Sequence, residues 1–132
     1  MITGLTRNTD WKNFVRAIIE SVAYQTNDLF NSMKNDGLKP RIVKIDGGMV
    51  KNNWFSQFLS DIININVLRP KVLETSALGA ALFAGYGCGE FKSLDEIKSV
   101  WKKDRFFSPK LKKSTRNKLL KGWKLAIRKT LA

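Results

Sequence analysis

One segment governs how this chain folds: IVKIDGGMV, residues 42–50, which is followed by Asn52. Its β-branched first half predicts a short strand over residues 41–46. The glycine pair at the end of that strand permits a tight turn, because glycine tolerates a positive φ. A helix beginning at Asn52 completes a strand–turn–helix unit, whose turn, residues 46–49, is called the glycine turn below.

Helices and strands alternate on both sides of this unit. Apolar residues recur at spacings of three and four, which indicates helices, or lie in short β-branched runs, which indicate strands. Such alternation is typical of an α/β layer. Two short strands are too few for a stable sheet, so the sequence predicts one part of a larger α/β domain. The predicted helices span residues 10–34, 52–62, 75–86, 93–102 and 114–131, the strands span 41–46 and 64–68, and a loop containing Pro109 precedes the last helix.

Positive charge is concentrated at one end of the chain. The 132 residues carry a formal net charge of +13, and nearly all of the excess lies in residues 98–132. Such a basic segment is typical of proteins that bind polyanions such as nucleic acids. However, its lysines surround an apolar stripe in the last predicted helix, a pattern typical of a solvated face. The pattern therefore favours a solvated helix over nucleic-acid binding.

Composition excludes several classes of protein. The chain contains no histidine and a single cysteine, Cys88, which excludes histidine-based catalysis and an internal disulfide. No apolar run approaches the roughly 20 residues of a membrane span, and the first residues lack a signal-peptide pattern. The sequence therefore predicts a cytoplasmic, soluble chain with no membrane partner.

The glycine turn admits two interpretations from its residues alone. Backbone N–H groups at a strand–helix junction can face a nucleotide, and Asn52 could hydrogen-bond a ribose or a base. The simpler alternative is an ordinary tight turn in which Asn52 caps the helix. Asp46 is likewise either a turn-stabilising residue or a catalytic or metal-binding carboxylate.

The helix predicted over residues 75–86 is rich in alanine and glycine. Small side chains allow close packing of a helix on a sheet, which is the favoured interpretation. Alternatively, the start of this helix lies against a bound nucleotide.

Three segments together resemble the FGGY family of carbohydrate kinases. They are GLTRNTDWKNFVRAIIESVAYQT, IDGGMVKNNWFSQFLSDI and VLRPKVLETSALGAALFAG, residues 4–26, 45–62 and 67–85. The second and third segments are more similar to the branch of the family that phosphorylates glycerol than to the xylulose branch.

The resemblance implies an actin-like, ribonuclease H-like fold that holds ATP between two domains. Residues 1–97 would form part of the C-terminal kinase domain on its ATP side, with an incomplete sheet flanked by helices. Residues 98–132 would be a basic helical extension of that domain. The adenosine-binding segment of the family falls on residues 46–49. The resemblance implies nucleotide contacts from Gly48 and Asn52 and from the backbone of Gly47 and Met49.

The resemblance also implies an activity: transfer of the γ-phosphoryl group of ATP, with Mg²⁺, to glycerol, giving ADP and glycerol 3-phosphate. The phosphate loop, the glycerol-binding residues and the catalytic base of the family would precede residue 1, so no catalytic or metal-binding residue is assigned. We therefore expect the chain to need the missing N-terminal domain as its partner and to be inactive alone. The alternatives are an inactive truncated remnant and a basic polyanion-binding module. The sequence leaves open whether the complete enzyme is a homo-oligomer.

Overall fold

The computed structural model describes residues 1–131, so Ala132 lies outside the described part of the chain. The predicted order of helices and strands is confirmed up to residue 100, and each predicted end lies within two residues of the observed end. The helices are α1 (Trp11–Asn35), α2 (Asn53–Ile63), α3 (Thr75–Gly87), α4 (Leu94–Val100) and α5 (Lys113–Leu131); the strands are β1 (Ile42–Lys44), β2 (Asn66–Pro70) and β3 (Lys103–Phe107); a 3₁₀ helix covers Gly48–Lys51.

The strands form one sheet in the order β1-β2-β3. β1 runs parallel to β2, with Val43 opposite Val67, as expected for two strands joined through a helix. β3 returns antiparallel to β2, with Phe107 opposite Val67. The α/β class with an incomplete sheet is therefore confirmed.

β3 was not predicted: the sequence predicts a helix up to residue 102 and then a loop containing Pro109. α4 ends at Val100, and residues 103–107 form a strand instead. Four of its five residues are exposed and three are charged, so the strand shows no apolar alternation. Only Phe107, 5% exposed, is buried. The pairing with β2 decides this structure, and a local pattern cannot reveal it.

The core lies between α2 and the sheet. Ile62 and Ile63 of α2 and Val67 of β2 are completely buried. α1 packs on α2, where Tyr24 meets the edge of the Phe58 ring at 5.7 Å. α2, the helix of the β1–α2 unit, is therefore packed between α1 and the sheet.

α5 docks on α1 through its apolar stripe. The Trp123 ring stacks on Tyr24 at 5.5 Å, and its indole Nε1–H donates a hydrogen bond of 2.6 Å to Asp28. The lysines of α5 are all exposed. The solvated-face interpretation of this helix therefore agrees with its position in the fold.

α3 does not pack as expected. None of its residues is buried, and a Cβ built on Gly79 would meet no atom within 4 Å. Phe83, near its middle, is 62% exposed. Close packing of its small residues on the sheet is therefore not found among residues 1–131.

α1 likewise presents apolar side chains to solvent on its outer side, among them Trp11 and Ile18. No helix within residues 1–131 is long and apolar enough to cross a membrane.

Candidate functional site

The glycine turn connects β1 to the 3₁₀ helix in a conformation that its first glycine makes possible. Gly47 has φ +86°, in the left-handed region that favours glycine. Its N–H donates a hydrogen bond of 2.9 Å to the carbonyl of Leu73, just before α3. The turn is therefore tied to the segment that leads from β2 into α3.

The surface of the turn is open. A Cβ built on Gly47 or on Gly48 would meet no atom within 4 Å. The side chain of Met49 is 47% exposed, whereas Val50 is 4% exposed and anchors the 3₁₀ helix in the core. The first N–H groups of a helix have no partner within it, and in the 3₁₀ helix the exposed residues Gly48 and Met49 carry such groups.

Asn52 caps α2, as one of the two interpretations of this residue expected. Its Oδ1 accepts hydrogen bonds from the N–H groups of Trp54 at 2.9 Å and Phe55 at 3.3 Å. The residue is nevertheless exposed. Capping occupies the side-chain oxygen and leaves the amide Nδ2 available, so the structure is compatible with both interpretations.

Asp46 lies at the exposed end of β1. Within residues 1–131 its carboxylate takes part in no side-chain hydrogen bond or ion pair, so the turn-stabilising role expected for it is not seen. No group of three potential metal ligands forms among these residues.

A buried arginine contacts the 3₁₀ helix that follows the turn. Arg69 of β2, 8% exposed, donates from Nη1 to the carbonyls of Val50 at 2.6 Å and Lys51 at 3.3 Å. Its Nε and Nη2 contact Asp104 of β3 at 2.7 and 2.6 Å. The completely buried Ser56 of α2 adds a hydrogen bond of 3.1 Å from Oγ to the Val50 carbonyl.

The sequence does not predict that Arg69, Ser56 or Asp104 belongs to this site. Arg69 lies 19 residues from Val50 and 35 from Asp104, so no local spacing joins them. The only signal is a charged residue directly after the apolar Val67 and Leu68, because a charge that becomes buried needs a partner.

An α/β layer with an open glycine turn between a parallel strand and a helix is an arrangement in which proteins bind nucleotides. Residues 1–88 match the sequence model described as "FGGY family of carbohydrate kinases, C-terminal domain". The chain belongs to this family of carbohydrate kinases.

Individual relatives agree with that membership. A glycerol kinase of Coxiella burnetii (strain Dugway 5J108-111) is 48% identical over 97% of this chain and 26% of that protein. Among solved structures, Plasmodium falciparum glycerol kinase with ADP superposes with a TM-score of 0.84 and 38% identity, over 100% of this chain and 27% of that one. Xylulose kinase from Lactobacillus acidophilus gives a TM-score of 0.75 at 25% identity, over 97% of this chain and 26% of that one.

The chain therefore spans about a quarter of the length of the proteins it matches. The matched part is the C-terminal domain, which confirms the resemblance to the C-terminal portion of the family.

Proposed function

We propose that this chain is the nucleotide-side portion of an ATP-dependent glycerol kinase. Together with the remaining part of the enzyme, it would transfer the γ-phosphoryl group of ATP to glycerol and release ADP and glycerol 3-phosphate. The observation that carries the proposal is the exposed turn with open space over both of its glycines. The similarity to glycerol kinases along nearly the whole chain supports the choice of substrate.

The residues of the turn have distinct roles in this proposal. Gly47 supplies the positive φ that the turn needs, and Gly48 lets the nucleotide approach the main chain. The exposed Met49 offers its backbone N–H and its side chain to the adenosine. Asn52 offers its side-chain amide Nδ2 while Oδ1 holds the helix cap.

The proposal assigns the chain one role within a larger enzyme. Residues 1–97 form the ATP side of the C-terminal domain, and residues 98–132 complete the same domain. The N-terminal domain of the enzyme supplies the glycerol site, the phosphate loop and the catalytic base, because no residue of this chain is assigned to them. The isolated chain is therefore inactive. Because the complete enzyme would use ATP, we propose that it acts in the cytoplasm.

Mg²⁺ accompanies ATP in the complete enzyme under this proposal. Residues 1–131 bring no three potential ligands together, so they do not fit a magnesium site made by this chain alone. Mg²⁺ commonly binds through nucleotide phosphates, water and one or two carboxylates. The nucleotide site proposed here therefore requires no dedicated metal cage.

Variants of Asn52 test the nucleotide site. Asn52→Ala removes both the helix cap and the amide, whereas Asn52→Ser keeps a capping oxygen and removes only the amide. We expect both variants to lower the affinity for a fluorescent ATP analogue by about tenfold, since hydrogen bonds to charged or polar ligand groups contribute on this order. Only Asn52→Ala should also lower the melting temperature.

The adjacent Asn53 provides a matched control, because it is exposed and its side chain makes no hydrogen bond within residues 1–131. Asn53→Ala should bind the analogue as wild type does. Equal binding by the wild-type chain and both Asn52 variants would count against a nucleotide site at this turn.

A coupled assay with ATP and glycerol tests the enzyme assignment. The chain alone should show no turnover, and addition of the N-terminal part of the enzyme should restore it. Nucleic-acid binding that falls steeply with salt would instead favour the polyanion-binding alternative. Charge reversals Lys121→Glu and Lys124→Glu test that alternative better than a deletion, because removal of residues 98–132 would also remove β3.

A further inference from the structure

We propose that Arg69 is a positioning residue that holds the glycine turn in the geometry required for nucleotide binding. This inference rests on the proposed function, since it concerns the same turn. Arg69 is a buried residue of β2 and does not itself contact a ligand in this proposal. It acts through the main chain of residues 50–51.

Arg69 is hydrogen-bonded to the C-terminal end of the 3₁₀ helix, where the carbonyl groups are exposed to it. The carbonyl of Val50 accepts one hydrogen bond from Arg69 Nη1 at 2.6 Å and another from Ser56 Oγ at 3.1 Å. Both donors are buried, so neither bond is weakened by exchange with water. The 3₁₀ helix is four residues long, and fixing its end therefore also restricts the N–H groups at its start.

The guanidinium itself is held from two sides. Nε and Nη2 both contact one carboxylate oxygen of Asp104, Oδ2, at 2.7 and 2.6 Å, and such charge-assisted contacts are stronger than hydrogen bonds between neutral groups. The ring of Phe107 lies beneath the guanidinium carbon, at 5.6 Å from its centroid. β3 thus orients Arg69, and Arg69 orients the turn.

A lysine at this position would keep the charge and lose the fixed fork. Lysine carries a single point charge on a flexible stem and cannot bind Asp104 with two nitrogens while reaching Val50 with a third. Arg69→Lys is therefore the sharpest variant. Arg105→Lys is its matched control, because Arg105 lies opposite Arg69 in the β2–β3 register, is exposed and makes no side-chain hydrogen bond within residues 1–131.

The experiment combines two measurements on the full 132-residue chain. Amide hydrogen exchange at Asn52, whose N–H bonds to the Met49 carbonyl at 3.1 Å, reports the order of the turn without any ligand. Titration with ADP reports binding. We expect Arg69→Lys to speed this exchange and weaken ADP binding, each by about tenfold, which is the scale of one charge-assisted hydrogen bond. Arg105→Lys should change neither.

Asp104→Asn provides a second variant that leaves Arg69 in place, and it decides the question if Arg69→Lys fails to fold. It should shift exchange and ADP affinity in the same direction by a smaller factor. Wild-type exchange at Asn52 in these variants would overturn the proposal, and so would unchanged ADP affinity despite faster exchange. If the wild-type chain binds no ADP, the proposed nucleotide site fails, while the exchange measurement alone still decides whether Arg69 holds the turn.

Discussion

Gly47 and Gly48 are adjacent, yet the fold requires only one of them. Gly47 needs its positive φ of +86°. Gly48 has no positive φ, and a Cβ there would meet nothing within 4 Å. No contact within residues 1–131 therefore explains glycine at position 48, whereas the proposed approach of a nucleotide to the main chain would explain it.

Alanine substitutions should separate these two roles. Gly47→Ala should lower the free energy of unfolding by about 1–2 kcal/mol, because a left-handed conformation is costly for an L-residue. Gly48→Ala should leave it unchanged or raise it by about 0.5 kcal/mol, since alanine has fewer unfolded conformations. Urea denaturation measures both effects.

Gly48→Ala should nevertheless weaken ADP binding in a titration. Gly79→Ala is the control, because its site in α3 is equally open and lies outside the turn. Tight ADP binding by Gly48→Ala would show that this face of the turn does not meet the nucleotide.

At the level of single residues, the sequence predicts what depends on near neighbours. Gly47 and the cap at Asn52 follow from residue type and position, because each satisfies a backbone requirement within a few residues. Arg69 could not be predicted as part of the site. Its partners come from two other elements, and only the folded sheet brings them together.

Among the elements, α1 and α5 meet around one tyrosine. Tyr24 is 8% exposed, and its hydroxyl donates a hydrogen bond of 2.8 Å to Glu20. Burial raises the pKa of Tyr24 above its ordinary value of 10.0, and the hydrogen bond and the negative charge of Glu20 raise it further. The folded chain therefore holds the Tyr24 proton more tightly than the unfolded chain does.

This difference predicts a loss of stability in alkaline solution. The contribution of Tyr24 is fully present below pH 10 and decreases as the pH rises above 10, by at most about 1.4 kcal/mol per pH unit. Tyr24→Phe should remove this decrease, and Tyr86→Phe should not, because Tyr86 is 42% exposed. Parallel pH slopes for wild type and Tyr24→Phe in chemical denaturation would contradict the assignment.

Elements with their own periodicity were predictable, and β3 was not. α1 and α2 show apolar stripes and capping residues, so their bounds follow closely from the sequence. Ser93 likewise caps α4, since its Oγ accepts a hydrogen bond from the Glu96 N–H at 3.3 Å. β3 is a polar edge strand whose stability comes from pairing with β2.

For the molecule as a whole, exposed apolar surface is the dominant feature. Trp11 and Ile18 of α1 are 69% and 65% exposed, and Phe83 of α3 is 62% exposed. Exposed apolar surface of this kind marks places where other protein surfaces bind. They agree with a chain that spans about a quarter of its relatives.

The chain alone should therefore self-associate at micromolar concentration and bind the dye ANS, because exposed apolar patches promote association. Phe83→Glu should reduce both effects, whereas Lys124→Glu on the polar side of α5 should not. Sedimentation velocity measures the association. A monomeric wild-type chain without dye binding would contradict this prediction.

The two edges of the sheet are unequal, and this determines how it can be extended. β3 carries the exposed charges of Lys103 and Arg105, and charged residues on an edge strand discourage pairing with a further strand. β1 carries Ile42, 51% exposed, and pairs only with β2 among residues 1–131. The sheet can therefore be extended at only one edge. A strand supplied by a separately made polypeptide would pair with β1. If a separately made polypeptide complements this chain, it would do so by adding a strand to the incomplete sheet.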